Sequence, residues 1–184
     1  RTDRVQCAEF YFRAAPDDTA KEAYAAGMYY NEALLAPEVD GPGLATLQNL
    51  LDLDGGSGYP NLYVRSTSGN WSQRFGFRMG SKARRDACVA AISKAVRQKT
   101  WDFYSTTLLH ECQTFIEKST GKCEAMPGEH DDAVISMAIG LYLDQELGEV
   151  DIVEERAPVK RHTNKRIAKM LDKLGSRNRH LGGL

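Results

Sequence analysis

An apolar helix entered through two adjacent aspartates constrains this chain more than any other stretch. Residues 133–143 are apolar except for Ser136 and Gly140, and the apolar positions form two stripes at helical spacing. Because so little of such a helix can face water, the pattern predicts a core helix. Asp131 and Asp132 stand at its first turn, where aspartate is a common N-cap and the positive end of the helix dipole stabilises an anion.

Capping accounts for one of these aspartates better than for two. Adjacent carboxylates beside buried surface repel each other unless a cation or a basic side chain neutralises them, so the pair is a candidate metal site, with capping as the alternative. The helical spacing does not show which of Asp131 and Asp132 is the principal metal ligand, because each continues one apolar stripe. We favour Asp132. His130 precedes them, and because the chain has no Cys/His cluster at zinc spacing, we expect a supporting or structural role for it.

The bulk composition is that of a globular protein. The 184 residues, 42% hydrophobic and 27% charged, fit one domain of ordinary size with an appendage. No stretch has the apolar length of a membrane span, and the first residues do not form a signal peptide. The cysteines have no paired spacing, which favours a reducing compartment. They are Cys7, Cys88, Cys112 and Cys123.

The net charge of −1 conceals a strong asymmetry along the chain. Residues 156–184 hold nine Lys or Arg and one acidic residue, whereas the preceding residues hold 15 basic and 24 acidic side chains. Such a basic tail predicts a nucleic acid, an acidic partner or a solvated extension. The sequence is therefore divided into a domain at 1–147, an acidic linker at 148–158 and a basic amphipathic tail at 159–184.

Short apolar runs alternate with helical patterns, which predicts an α/β fold. The run at 33–37 is typical of a buried central strand, and Glu38 and Asp40 follow it directly. The glycines at 55–58 lack the phosphate-loop pattern, so no ATPase signature is present. Strands are predicted at 4–12, 33–37 and 61–65, and a hairpin at 114–116 and 122–125 around the turn Ser119-Thr120-Gly121. Helices are predicted at 16–30, starting with proline and two aspartates, at 44–53, at 81–98 with Ser81 as its cap, and at 105–112.

The segment from 61 to 85 interleaves basic and aromatic side chains and contains no acidic residue. Such a composition suits a polyanion that is bound by its backbone, and a solvated hairpin with a few packed aromatics is the alternative interpretation. The candidate DNA-contacting residues are Arg65, Arg74, Arg78, Lys82, Arg84 and Arg85.

Carboxylates at the end of a central strand and at the start of a late helix can meet in one cleft. Two divalent cations roughly 4 Å apart, held by shared carboxylates, cleave phosphodiesters in many enzymes. Carboxylate oxygens favour Mg²⁺ or Mn²⁺. The sequence therefore predicts a metal site formed by acids that are distant along the chain.

Several short motifs follow one another across roughly residues 5–145. They are Tyr30-Asn31-x-Ala33, Glu38-x-Asp40-Gly41-x-Gly43, Tyr59-Pro60-Asn61-Leu62-Tyr63, Gly76-Phe77-Arg78 with Ser81-Lys82, Thr114-Phe115, and Gly128-x-His130-Asp131-Asp132-Ala133. In this order and spacing the set resembles the nuclease domain of viral large terminases, the DNA-packaging motors of tailed phages and herpesviruses.

The resemblance implies an RNase H-like fold, a mixed central β-sheet flanked by helices. It also implies cutting of concatemeric double-stranded DNA with two Mg²⁺ or Mn²⁺ ions, partnership with a portal protein and a small terminase subunit, and action in the host cytoplasm. Glu38 matches the second catalytic acid of the family, and Asp131 with Asp132 matches the third. These three are the expected catalytic metal ligands, and His130 and Asp40 are expected to support them.

The front of the chain departs from the family pattern. The first catalytic aspartate of the family lies on a strand that should precede the one opening this chain, and Asp3 is a poor substitute for it. Without that metal-binding carboxylate we expect weak cutting. The ATPase domain of the family is also absent from this sequence, so we expect no translocation. The alternatives are an RNase H-like resolvase or transposase-type nuclease, and a non-catalytic module that binds DNA or a portal ring.

Overall fold

The computed structural model describes residues 4–65 and 75–148, which belong to two compact units. We name them by the acids they carry. The glutamate unit comprises residues 14–65 and 75–76, and the aspartate unit comprises residues 4–13 and 77–148. Arg74 and almost all of the linker and tail predicted at 148–158 and 159–184 lie outside the described residues.

The glutamate unit is built on two helices, α1 (Pro16–Tyr29) and α2 (Gly43–Asp52), followed by a 3₁₀ turn at Asp54–Gly56. Helix α1 begins with proline and has two aspartates in its first turn, as the sequence predicts. The two helices pack against each other and against extended segments, and they bury an apolar cluster. Its buried members are Ala20, Val39, Leu47, Leu50, Tyr59 and Leu62.

The aspartate unit contains three helices and a hairpin. They are α3 (Lys82–Gln98), α4 (Thr106–Thr114), β1 (Phe115–Glu117), β2 (Cys123–Ala125) and α5 (Asp132–Leu147). Both α3 and α4 pack against α5. The prediction of a core helix after the aspartates is confirmed, because six residues of α5 are buried on several sides of the helix. These are Val134, Ile135, Ala138, Ile139, Leu141 and Leu143.

Local signals placed the hairpin and the start of α3 correctly. Strands β1 and β2 pair antiparallel, with Phe115 opposite Ala125, and the turn between them contains Gly121 at a φ of 71°. Ser81 caps α3, because its hydroxyl accepts a hydrogen bond from the amide of Arg84 at 3.3 Å.

The extended segments pair less than the sequence predicts. Between residues 4 and 12 only Val5 forms a bridge, to Asp102, so the strand predicted there is wrong for most of its length. Phe10 and Phe12 are about half exposed. The reason is that alternation alone does not make a strand, and among the described residues no neighbouring segment pairs with this one beyond Val5. In the glutamate unit Leu35 bridges Leu62, again as a single pair.

The fold is therefore a mixture of α-helices and β-structure. Within the described ranges the only multi-residue sheet has two antiparallel strands, and the mixed central β-sheet predicted from the resemblance is not seen there. A search of those same residues finds no helix that combines the length and the apolar character needed to cross a membrane.

Candidate active site

The start of α5 brings one member of the predicted acid pair, Asp131, into contact with a basic side chain. Asp131 occupies the N-cap position, but its side chain makes no capping hydrogen bond. Instead its Oδ2 accepts a hydrogen bond from Nη2 of Arg85 at 3.0 Å. The two side chains are 27% and 23% exposed, so this is a partly shielded ion pair. The neutralisation that an aspartate pair requires is thus provided, for Asp131, by α3.

Arg85 also connects this corner to the hairpin. Its Nε and Nη2 donate to the carbonyl oxygen of Cys123 on β2, at 3.4 and 3.2 Å. One guanidinium group therefore links α3, β2 and the residue that precedes α5. Arg85 was predicted to contact DNA, and that prediction is untested, but its intramolecular partners favour a role in holding Asp131.

The amides at the start of α5 are capped from another helix. Oε2 of Glu111, on α4, accepts hydrogen bonds from the backbone amides of Ala133 at 2.7 Å and Val134 at 3.1 Å. Glu111 is only 3% exposed, and its carboxylate lies at the positive end of the α5 dipole. Its other oxygen, Oε1, is buried without a hydrogen-bond partner among the described residues.

Sequence reasoning missed Glu111. The available signal was its position three residues after Leu108, because both side chains lie on the buried face of α4. A glutamate in a short polar helix is nevertheless usually assigned to the surface, since charged residues are rarely buried unless they are paired.

Asp132 has a different environment from Asp131. Its carboxylate has no hydrogen-bond or ion-pair partner within the described ranges. It lines a cavity of about 790 Å³ together with His130, Ser136 and residues 6–13 except Cys7. The pKa of Tyr11, which lines the same cavity, is raised by desolvation and then by the negative charges of Glu111 and Asp132. The lining carries two carboxylates, those of Glu9 and Asp132, and the guanidinium of Arg13, which lowers the pKa of Tyr11.

Glu38 and Asp40 lie in the glutamate unit, where both line a cavity of about 510 Å³ with Thr19 and Thr46. Val39, between them, is buried in the apolar core and anchors the turn. The turn also depends on Gly43, because any Cβ at that position would overlap the carbonyl oxygen of Glu38.

The predicted DNA-contacting residues are distributed over both units. Arg65 lies in the glutamate unit, and Arg74 is outside the described residues. The others surround the start of α3. Exposed Lys82 pairs with Asp86 at 2.7 Å, while Arg84 donates to the carbonyl of Arg78 at 3.0 Å and lies 5.9 Å above the ring of Phe77.

The three predicted catalytic acids are thus divided between the units. The aspartate unit brings together Asp131, Asp132 and His130, and the glutamate unit brings together Glu38 and Asp40. Across residues 4–65 and 75–148, no group of three or more His, Cys, Asp or Glu side chains is arranged to hold a metal ion.

Comparison with known proteins yields no assignment, because neither a scan against models of protein families nor a search of curated proteins finds a match to this chain. A functional proposal therefore depends on the residues and their geometry.

Proposed function

We propose that this chain is the nuclease domain of a viral DNA-packaging terminase, with an RNase H-like fold, and that it cuts concatemeric double-stranded DNA with Mg²⁺ or Mn²⁺. The observation that supports this most strongly is the carboxylate of Asp132, which lines a cavity and has no partner among the residues that the structure describes. Asp132 is not needed to cap α5, because Glu111 accepts from the first amides of the helix. Nor is it needed to pair with Arg85, because Asp131 does so. Asp132 is exposed, and an exposed carboxylate whose structural roles are taken by its neighbours is available to bind a hard cation.

The donor atoms suit these ions. Asp132 and Glu38 offer carboxylate oxygens, which Mg²⁺ and Mn²⁺ prefer, and Asp131 is a further candidate through the oxygen that Arg85 does not contact. When bound, a pair of such ions would supply an activated water and stabilise the leaving oxygen of the phosphodiester. In this proposal His130 and Asp40 support the two sets of acids from neighbouring positions.

Substrate binding is assigned to the basic residues around the start of α3. Arg78, Lys82 and Arg84 carry positive charge that binds phosphates irrespective of sequence. The portal protein, the small terminase subunit and the host cytoplasm enter this proposal through the motif set alone.

A second candidate function is a non-catalytic module that binds DNA or a portal ring. It is favoured by the ion pair between Asp131 and Arg85, which gives one of the predicted metal ligands a structural use. In that case Asp131 would be a structural partner of Arg85, and the basic residues of α3 would provide the binding surface.

The test is cleavage of supercoiled plasmid in the presence of Mn²⁺ or Mg²⁺. It compares the 184-residue chain with a version extended by an upstream strand bearing an aspartate, and introduces Asp132→Asn and Glu38→Gln into the active form. We expect each substitution to lower the cutting rate by about 100-fold or more, because each removes a metal ligand. Asp52→Asn is the matched control, since Asp52 is an exposed residue at the end of α2.

Cutting that persists in both substituted proteins would refute the metal assignment. Absence of cutting in every form, with retained DNA binding that weakens steeply as salt rises, would instead support the binding module.

A further inference from the structure

We infer that Glu111 is a positioning residue for Asp132, acting through the first turn of α5; this inference rests on the proposed function. The residue before a helix commonly caps its first amides with its own side chain. Here Asp131 occupies that place and does not cap, and Glu111 accepts from the amides of Ala133 and Val134 instead.

The consequence is that Asp132 lies between two fixed points. Asp131, on one side, is held by Arg85 of α3, and Ala133, on the other, is held by Glu111 of α4. The backbone of Asp132 is therefore restrained from both sides, while its carboxylate remains without a partner among the described residues. The side chain of Asp132 is thus oriented through its backbone, and its carboxylate remains available for a ligand.

The burial of Glu111 favours a role beyond packing. A buried carboxylate is costly even when one oxygen is hydrogen-bonded, and Oε1 of Glu111 has no such bond within the described ranges. An aspartate cap supplied by Asp131 would satisfy the same amides without a buried charge on α4. That simpler solution would draw Asp131 away from Arg85 and move the start of α5.

Removing Glu111 should therefore weaken metal binding more than it weakens the fold. In Glu111→Ala the free amides of α5 would be capped by Asp131, which changes the direction of its carboxylate and moves the start of the helix that carries Asp132. In Glu111→Gln the side chain keeps its length and one acceptor oxygen, so it can still accept from the amides of α5. In Glu111→Asp the charge remains, but the shorter side chain no longer reaches both amides.

The experiment measures the binding of Mn²⁺ alone to the full 184-residue chain by calorimetry, with folding checked by circular dichroism. We expect the dissociation constant to rise about 10-fold in Glu111→Ala and in Glu111→Asp, as when other side chains that orient a metal ligand are lost. We expect a change of less than about 3-fold in Glu111→Gln, and loss of binding in Asp132→Asn. Gln113→Ala, at an exposed position of the same helix, is the control and should bind as the unsubstituted chain does.

The outcomes separate the two proposals. If the unsubstituted chain binds no Mn²⁺, or if Asp132→Asn binds Mn²⁺ equally well, the proposed function and the inference both fail. If it does bind, but every folded Glu111 variant binds equally well, only the inference fails. Should Glu111→Ala not fold, the Asp and Gln variants decide: weaker binding in Glu111→Asp supports capping geometry, and weaker binding in Glu111→Gln overturns it in favour of a simple charge effect.

Discussion

The two units hold their candidate acids by different physical means. In the aspartate unit the start of α5 is held by side-chain charges, through Arg85 and Glu111. In the glutamate unit the turn around Glu38 is held by packing, through buried Val39 and the missing side chain of Gly43. We therefore expect the aspartate unit to respond to changes of charge and pH, and the glutamate unit to respond to changes of side-chain volume.

The largest effect on stability is expected from Gly43→Ala. The added Cβ would overlap the carbonyl oxygen of Glu38, so the turn must shift, at a cost of about 3 kcal/mol in the free energy of unfolding. Urea denaturation measures this. Gly41→Ala is the control, because Gly41 has a φ of 71° but no described atom near an added Cβ, and should cost about 1 kcal/mol. Equal losses in the two variants would mean that backbone conformation, and not close contact, determines this turn.

A smaller effect is expected from Arg85→Met. The substitution leaves Asp131 without its partner, and since both side chains are about a quarter exposed, we expect a loss of about 1–2 kcal/mol. Arg97→Met is the control, because the side chain of Arg97 is exposed and, among the described residues, donates to the carbonyl of Ser93 alone. Adding Asp131→Asn to Arg85→Met should lower the free energy of unfolding little further. If the two single losses instead add fully in this double-mutant cycle, the two charges do not stabilise each other.

The smallest effect is expected at the hairpin, in acid. Hydrogen bonds from Lys118 and then Lys122 lower the pKa of Glu124 to about 2, from an ordinary value of 4.5. Because the folded-state pKa is depressed, the stabilisation is present above pH 4.5 and is lost as the pH falls from 4.5 through about 2. Glu124→Gln should flatten the pH dependence of hairpin stability in that window, as followed by NMR. An unchanged acid profile in Glu124→Gln would show that these ion pairs do not stabilise the folded state.

The amino-acid sequence by itself determined the elements whose signals are local. The apolar stripes predicted the burial of α5, Ser81 marked the start of α3, and the turn at Ser119–Gly121 placed the hairpin. Each of these depends on residues a few positions apart, which interact in the same way wherever the element lies. The sequence also identified Asp131 and Asp132 as an unusual pair, because adjacent like charges beside a core helix are visible in one dimension.

Only the tertiary structure decided how those acids are used. Glu111 lies 22 residues from Ala133 and Arg85 lies 46 residues from Asp131, so no local pattern reveals either contact. The strand predicted at 4–12 fails for the same reason, since a strand depends on hydrogen bonds to a neighbour that its own sequence does not specify. Within the described part of the chain Asp131 is paired and Asp132 is not, and this distinction comes from side chains on α3 and α4, which pack against α5.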